Sequence, residues 1–212
     1  MRSFIYYSKT APTSGKYVNE KDLMASGRTD IAIHTVIAAF FLSHQFRNDV
    51  KLHLCFAGPP DPEKHLELKP ITEGETDINK IYLSKKDIAW VIKRMLYKYK
   101  KDRKIEVFPG YWIEKKHFLK LIEELYDQES NIYLLDEKGK NIREIEIKEN
   151  PIFILGDHHG LPKKELKKIK KFCIPISLGK RTYFASQSVT IVNYELDRRE
   201  DLKTIESQYN NP

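Results

Sequence analysis

The chain is poor in sulfur, with only two cysteines and three methionines among its 212 residues. Cys55 and Cys173 each lie inside an apolar run, which is typical of reduced, buried thiols. Such a sequence excludes a disulfide framework. It also contains no HExxH pattern and no CxxC pair, the usual sequence patterns of a zinc site. We therefore expect no bound metal.

Long hydrophobic runs are missing as well. The longest apolar stretch, residues 31–42, is interrupted by His34 and Thr35 and is too short to span a bilayer. The first residues enter a strand-like run directly, without the basic and apolar parts of a signal peptide. The sequence contains no repeat and no low-complexity stretch. We expect a soluble, cytoplasmic protein without membrane contact, in which residues 1–212 form a single domain.

What the sequence does have is positive charge: 37 Lys and Arg against 30 Asp and Glu give a net charge of +7. This balance favours an anionic partner such as RNA. Residues 85–104 contain nine Lys and Arg against two Asp, interleaved with Trp90, Tyr97 and Tyr99, and residues 163–171 contain six lysines. The first run is interpreted either as an RNA-binding surface or as a solvated lysine face, and the second as a basic segment near the entrance of the anionic partner.

Strand-like and helix-like segments alternate along the chain. Continuous apolar runs predict strands at residues 4–7, 50–56, 131–135, 151–155 and 173–176. Helical periodicity predicts helices at residues 29–46, 85–100, 114–126, 162–171 and 185–199. This order predicts an α/β fold, with an open, mainly parallel sheet between helices. Residues 59–75 are expected to form an exposed excursion or an ordered hairpin, and the polar tail at 207–212 to fray.

Three short polar segments follow predicted strands: LLD at 134–136, LGDHHGL at 155–161 and ISLG at 176–179. In an open α/β sheet, ligands collect at the carboxyl ends of the strands. The cluster Asp157, His158 and His159 is compatible with a polar turn, an acid/base pair or a metal site. Adjacent histidines on a tight turn rarely point at one ion, so the metal interpretation is the weakest of the three.

Taken in order, these three segments resemble the cofactor loops of the SPOUT methyltransferases. The similarity continues through GKRTYFAS at 179–186 and NYELDR at 193–198, and more loosely through SGRTD at 26–30 and AAFFLSH at 38–44. Within the family, the chain is most similar to the archaeal tRNA pseudouridine N1-methyltransferases. In one place it departs: after Ala185-Ser186 the family often has a His-Cys pair, whereas this chain has Gln187-Ser188.

The resemblance implies a SPOUT fold with a deep C-terminal trefoil knot over about residues 130–205, and a homodimer. The last helix is a reasonable interface element, with apolar positions at Val189, Ile191, Val192 and Leu196. The resemblance also implies S-adenosyl-L-methionine as cofactor. The residues expected to bind it are Leu134, Leu135, Leu155, Gly156, Ser177, Leu178, Gly179, Lys180, Arg181, Thr182, Tyr183 and Ser188.

The implied activity is N1-methylation of pseudouridine at position 54 in the T-arm of tRNA. The methyl group of a sulfonium is already activated, so the protein must mainly align the attack and manage one proton. Candidate residues for this task are Arg28, Asp30, Asp157 and His158. A structural alternative is that Asp30 caps the first helix and Arg28 pairs with it.

Three other functions remain open from the sequence. One is pseudouridine N1-methylation of small-subunit rRNA, as in the related enzymes of ribosome biogenesis. Another is an RNA-binding protein without catalysis, and the third is a metal-assisted hydrolase built on Asp157, His158 and His159.

Overall fold

The computed structural model describes residues 1–69, 84–128 and 131–209. The described part of the chain contains five α-helices, namely α1 (Thr29–Phe40), α2 (Lys85–Lys98), α3 (Phe118–Asp127), α4 (Lys163–Ile169) and α5 (Ala185–Tyr209). The strands are β1 (Arg2–Ser8), β2 (Phe41–Leu42), β3 (Gln45–Phe46), β4 (Val50–Phe56), β5 (Lys64–Leu68), β6 (Ile105–Phe108), β7 (Tyr111–Lys115), β8 (Asn131–Asn141), β9 (Pro151–Gly156) and β10 (Ile174–Ser177).

Eight of these strands form one sheet in the order β10-β8-β9-β1-β4-β5-β7-β6. The first five strands in this order run parallel, and β5, β7 and β6 extend the sheet with antiparallel pairings. The predicted open, mainly parallel sheet between helices is therefore confirmed. The antiparallel extension was not predicted, because its short, charge-rich strands lack the continuous apolar runs of a doubly covered strand.

Helices cover both faces of the sheet. Side chains of β1 point alternately to the two faces, so Phe4 and Tyr6 belong to one core and Ile5 and Tyr7 to the other. The first core also contains residues of α1, α2 and α5, and the second contains residues of α3 and α4. Two packed layers explain why the strand segments are apolar at consecutive positions.

Two helices are shorter in the structure than the sequence predicted. The helix predicted at 29–46 ends at Phe40, and the following residues form the small hairpin β2–β3. The ring of Phe46 stacks on Phe40 at 5.5 Å and meets Phe41 edge-on at 4.8 Å, so aromatic packing turns the chain back. The helix predicted at 114–126 begins only at Phe118, because residues 111–115 alternate in burial and form β7.

The predicted excursion at 59–75 contains a buried strand. β5 pairs with β4 on one side and β7 on the other. Residues 70–75 of the predicted excursion lie outside the described part of the chain. The last helix continues to Tyr209 and so includes the first three residues of the tail predicted to fray, whereas 210–212 are not described.

Cys55 and Cys173 are both free and buried, as predicted. Burial raises the pKa of the Cys173 thiol to about 12, so it is protonated and unreactive at neutral pH. Among the described residues, no helix is both long and apolar enough to cross a membrane. The trefoil knot stays a prediction from the family resemblance.

Candidate cofactor and catalytic cleft

A cleft of about 870 Å³ opens at the carboxyl ends of β8, β9 and β10, which are neighbours in the sheet. The three segments singled out in the sequence therefore lie side by side. Residues predicted to bind cofactor that line the cleft are Leu135, Leu155, Gly156, Ser177, Leu178, Gly179, Arg181, Thr182, Tyr183 and Ser188. All four candidate catalytic residues, Arg28, Asp30, Asp157 and His158, line it as well.

Two predicted cofactor residues do not line the cleft. Leu134 is 1% exposed and packs in the core, since successive side chains of a strand point to opposite faces and only Leu135 points outward to the cleft. Lys180 is exposed and stays outside the lining. Direct cofactor contact by these two residues stays a prediction from the family resemblance.

The loop expected after Leu135 is a bulge inside a longer strand. The pairing of β8 with β10 shifts register so that Leu134 faces Pro175 while Lys140 already faces Ile176. The intervening residues bulge out at the cleft, and Asp136 lines it there. A Cβ at Gly139 would lie 2.4 Å from the Ile176 nitrogen, so only glycine permits this close return of the chain.

Asp157 organises the turn that follows β9. Its Oδ2 accepts hydrogen bonds from Ser8 Oγ and from the Lys9 amide, both at 2.9 Å, and its Oδ1 accepts one from the His159 amide at 2.8 Å. The side chain is nearly buried. Both carboxylate oxygens thus accept hydrogen bonds from groups that shape the turn. These contacts favour the polar-turn interpretation of Asp157 over its role as a free base.

Replacing Asp157 tests this interpretation. In Asp157→Ala we expect the Kd for S-adenosylmethionine to rise about tenfold or more, because the turn loses three charge-assisted hydrogen bonds. We expect kcat at saturating cofactor to change less than about threefold. His159→Ala is the matched control, since it keeps the amide that Asp157 binds. A large loss of kcat with an unchanged cofactor Kd, measured by calorimetry, would instead identify Asp157 as the base.

Arg28 and Asp30 form a bidentate ion pair at the rim. Arg28 Nε and Nη2 each lie 3.0 Å from one carboxylate oxygen of Asp30. Arg28 precedes α1 in the left-handed backbone region, with φ of 58°, and this turn directs its side chain to the cleft. Burial raises the pKa of Asp30, but the hydrogen bonds and charge of Arg28 outweigh it and hold that pKa below its usual value. The pairing proposed in the structural alternative is observed, but its helix cap is not: Arg28 is the N-cap residue of α1, and no side-chain cap hydrogen bond is formed.

His34 is a cleft residue that the sequence analysis missed. It lies four residues after Asp30 on α1, a spacing that places both side chains on one face of a helix. Burial and the charge of Lys85 lower the pKa of His34, although Asp30 opposes them. His34 is thus a neutral imidazole at pH 7. His158, by contrast, lies exposed on the turn after β9, with its ring centroid 4.0 Å from that of His159.

The departure at Gln187-Ser188 has a local structural consequence. Gln187 Oε1 accepts a hydrogen bond from the Phe184 amide at 3.0 Å, which satisfies a free donor at the start of α5. Both side chains line the cleft, so Ser188 stands where the family often has cysteine.

The cleft suits a nucleoside with a polar tail. Leu135, Leu155 and Leu178 provide apolar surface for a flat base, and the Leu178–Tyr183 loop approaches from β10. This loop is braced because Ser177 Oγ donates to Gly179 O at 3.0 Å and accepts from the Gly179 amide at 3.1 Å. A volume of this size is in the range of small-molecule sites. The residues present therefore fit S-adenosylmethionine.

Comparisons with known proteins agree with this geometry. Residues 1–201 match the family model described as "Putative SAM-dependent RNA methyltransferase". A tRNA (pseudouridine(54)-N(1))-methyltransferase of Thermococcus kodakarensis is 34% identical over 93% of this chain and 99% of its own length. The protein of the same name from Pyrococcus abyssi is 35% identical over 93% and 98%.

Among solved structures, Archaeoglobus fulgidus Nep1 bound to S-adenosylhomocysteine superposes with a TM-score of 0.59 and 14% identity, over 93% of this chain and 97% of that one. This likeness concerns the fold, which it supports over nearly the whole chain. With the family model covering all but the last residues, the chain belongs to the family of S-adenosylmethionine-dependent RNA methyltransferases.

Proposed function

We propose that this enzyme methylates N1 of pseudouridine 54 in the T-arm of tRNA. The observation that supports it is the cleft itself, where the three cofactor segments meet an Arg–Asp pair placed at the rim. The full-length similarity to the two archaeal enzymes named above supports the substrate. The reaction needs tRNA and cofactor together, so we place it in the cytoplasm.

When bound, S-adenosylmethionine supplies an electrophilic methyl group, and the protein supplies alignment and charge. Pseudouridine N1 becomes a good nucleophile only when its proton leaves, which puts negative charge on the pyrimidine carbonyls. Arg28 stabilises that charge, and Asp30 fixes its guanidinium by the bidentate pair. Neutral His34, on the same helix face, is in the protonation state of a proton acceptor. Asp157 holds the cofactor turn, and His158 stands exposed at its tip.

The tRNA is proposed to bind along α2. The apolar side chains of this helix are buried, whereas Trp90 and Tyr97 are half exposed beside exposed Lys98 and Lys101. Lys85, at the start of this helix, is close enough to His34 to lower its pKa, so the basic face reaches the cleft. Lysines beside exposed aromatic rings suit phosphates and unstacked bases.

Removing two of these lysines tests the surface. In Lys98→Ala combined with Lys101→Ala we expect weaker tRNA binding and a salt dependence of log Kd that is shallower by about two, roughly one per lost phosphate contact. The matched control combines Lys120→Ala with Lys148→Ala, both exposed elsewhere. Fluorescence anisotropy over a salt series is the measurement. If the slope of log Kd against log salt concentration is the same in both variants, the lysines of α2 form a solvated face and do not bind tRNA.

We also propose a homodimer, formed on a groove between α1 and α5. The groove has a volume of about 570 Å³ and is lined by Ile37, Phe41 and Tyr194 among others. His34 and Ser186 line both the groove and the cleft, so a second copy bound here lies beside the reacting groups. Three of the interface positions suggested by the sequence need correction. The side chains of Val189, Val192 and Leu196 are buried in the protomer's own core.

Tyr194, 59% exposed, is the residue with which to test the dimer. We expect Tyr194→Asp to sediment as a monomer at micromolar concentration, because a charge in an apolar interface is left unpaired. Tyr17→Asp, at a similarly exposed tyrosine away from the groove, should keep the native mass. A dimeric Tyr194→Asp, measured by sedimentation velocity, would contradict the proposed interface.

Mass spectrometry of nucleosides tests the function directly. The enzyme is incubated with S-adenosylmethionine and with tRNA or small-subunit rRNA, each carrying pseudouridine or uridine. We expect N1-methylpseudouridine only in pseudouridylated tRNA. Product in the rRNA would select the ribosome-biogenesis alternative, and RNA binding without any product would select the noncatalytic one.

A further inference from the structure

Two buried histidines face each other on β4 and β5, which β1 separates from the cofactor strands β8, β9 and β10. His53 on β4 and His65 on β5 are 2% and 1% exposed. His53 Nδ1 and His65 Nε2 lie 2.8 Å apart, with the ring planes only 23° from parallel. Neither residue lines the cofactor cleft. A pair of ring nitrogens therefore converges on one point inside the antiparallel half of the sheet.

A carboxylate stands behind the second histidine. Glu114 lies directly opposite His65 in the pairing of β5 with β7, and its Oε1 is 3.0 Å from His65 Nδ1. The ring therefore donates its Nδ1 proton to Glu114 and presents the lone pair of Nε2 toward His53. A carboxylate that holds the far nitrogen of an imidazole is the arrangement that orients metal-ligating histidines.

A third ligand group comes from the same strand pair. Glu67 lies opposite His53 in the register, and one ligand atom from each of His53, His65 and Glu67 falls within 4.8 Å of the others. On its other side, Glu67 accepts a hydrogen bond from Lys104 at 2.9 Å and lies 3.5 Å from Lys51 Nζ. The carboxylate is therefore held between the histidine pair and two lysines.

We propose that His53, His65 and Glu67 bind one divalent transition-metal ion, with zinc the best match, and that Glu114 acts as the positioning residue for His65. Two imidazoles and a carboxylate are a known protein set for zinc. Two nitrogens bound tetrahedrally to zinc at about 2.0–2.1 Å are roughly 3.3 Å apart, so the rings need to separate by only about half an ångström. The ion would join β4 to β5, with β7 held through Glu114, and its role is structural.

The sequence analysis expected no metal, since the ligands come from two strands and fit no standard pattern. The one signal in the sequence is the i, i+2 spacing of His65 and Glu67, which places both side chains on one face of a strand. Only the antiparallel register brings the two strands' groups together.

Metal titration of the full chain tests the proposal. The protein is stripped with EDTA, dialysed, and titrated with zinc chloride by calorimetry and with cobalt chloride by visible absorption. We expect one zinc per chain and a cobalt spectrum typical of nitrogen and oxygen ligands. At a hundredfold excess of zinc over its Kd, we expect the Tm to rise by about 5–10 °C.

Variants connect the ion to these residues. We expect His65→Gln to abolish stoichiometric binding and the Tm shift, and Glu114→Gln to weaken binding about tenfold or more. His44→Asn is the control: His44 is exposed, and asparagine tolerates its left-handed backbone. If His65→Gln does not fold, Glu67→Gln, at the less buried end of the site, replaces it. The proposal is overturned if the native chain binds no zinc or if these variants bind it equally well, because the pair is then a metal-free hydrogen bond.

Discussion

Arg28→Gly lowers kcat/KM by about 100- to 1000-fold, the expected loss when one preorganised donor to a developing anion is removed. Glycine is the right replacement because Arg28 has a φ of 58°, a conformation that alanine would strain. Without the guanidinium, the charge that builds up on the pyrimidine carbonyls as N1 loses its proton is no longer stabilised. Single-turnover methyl transfer to pseudouridylated tRNA measures the effect.

Two further measurements make this result specific. The Tm and the Kd for S-adenosylmethionine should stay close to native, because Arg28 is paired at the rim of the cleft rather than in the core. Arg28→Lys should recover only part of the activity, since an ammonium cannot make the bidentate contact. Native turnover in Arg28→Gly would remove Arg28 from the mechanism.

The pH dependence of the variant follows from the ion pair. In the native protein the pKa of Asp30 lies below its usual value, so Asp30 is ionised above that pKa and its contribution is lost only as the pH falls through it. Removing Arg28 takes away the interaction that lowers this pKa. We therefore expect Asp30 to titrate at a higher pH in Arg28→Gly than in the native protein, as followed by NMR of its carboxyl carbon.

Arg2→Met reduces the free energy of unfolding by about 2–3 kcal/mol, which is the second large effect we expect. Arg2 is 4% exposed. Its guanidinium donates to Asp197 Oδ1 at 2.7 Å and to the Asn193 carbonyl at 3.1 Å, and its Nε lies 2.8 Å from Asp49. The substitution leaves these groups without their cation. The partly exposed carboxylates recover some hydration, so the loss is smaller than for a fully buried pair.

Thermal unfolding checks this result. For a chain of this size, the loss corresponds to a fall in Tm of about 4–12 °C. Arg143→Met is the matched control, because the Arg143 side chain is 67% exposed and its contact with Glu195 is 3.5 Å long. We expect that control to change stability by less than about 1 kcal/mol. Equal Tm values for Arg2→Met and the native protein would show that the network contributes no net stability.

The expected fold class came correctly from the sequence because its main strands are buried on both faces. β4 was predicted at its observed bounds, and the other parallel strands to within a few residues except β8, which runs on to Asn141. β5, β6 and β7 were missed because charged residues interrupt them. Their burial depends on neighbours in the sheet, which a local pattern does not contain.

Most of the candidate site was also identified from the sequence. Glycine-bearing turns after apolar strands indicated the cleft, and the family motifs named most of its lining. The sequence alone did not distinguish Leu134 from Leu135, because the course of β8 decides which of two adjacent leucines lines the cleft. His34 was missed because its role depends on the direction of α1.

The sequence by itself determined the layered α/β class and the order of the cofactor segments, because apolar runs and turn residues are local properties. It offered the pairing of Arg28 with Asp30 only as one of two alternatives. Only the tertiary structure decided that Asp157 accepts hydrogen bonds from Ser8 and Lys9. It likewise decided that Val189 and Val192 point into the core and that the rings of His53 and His65 lie in contact. Each of these contacts joins separate elements, so it depends on strand register and helix orientation, which form only when the whole sheet packs.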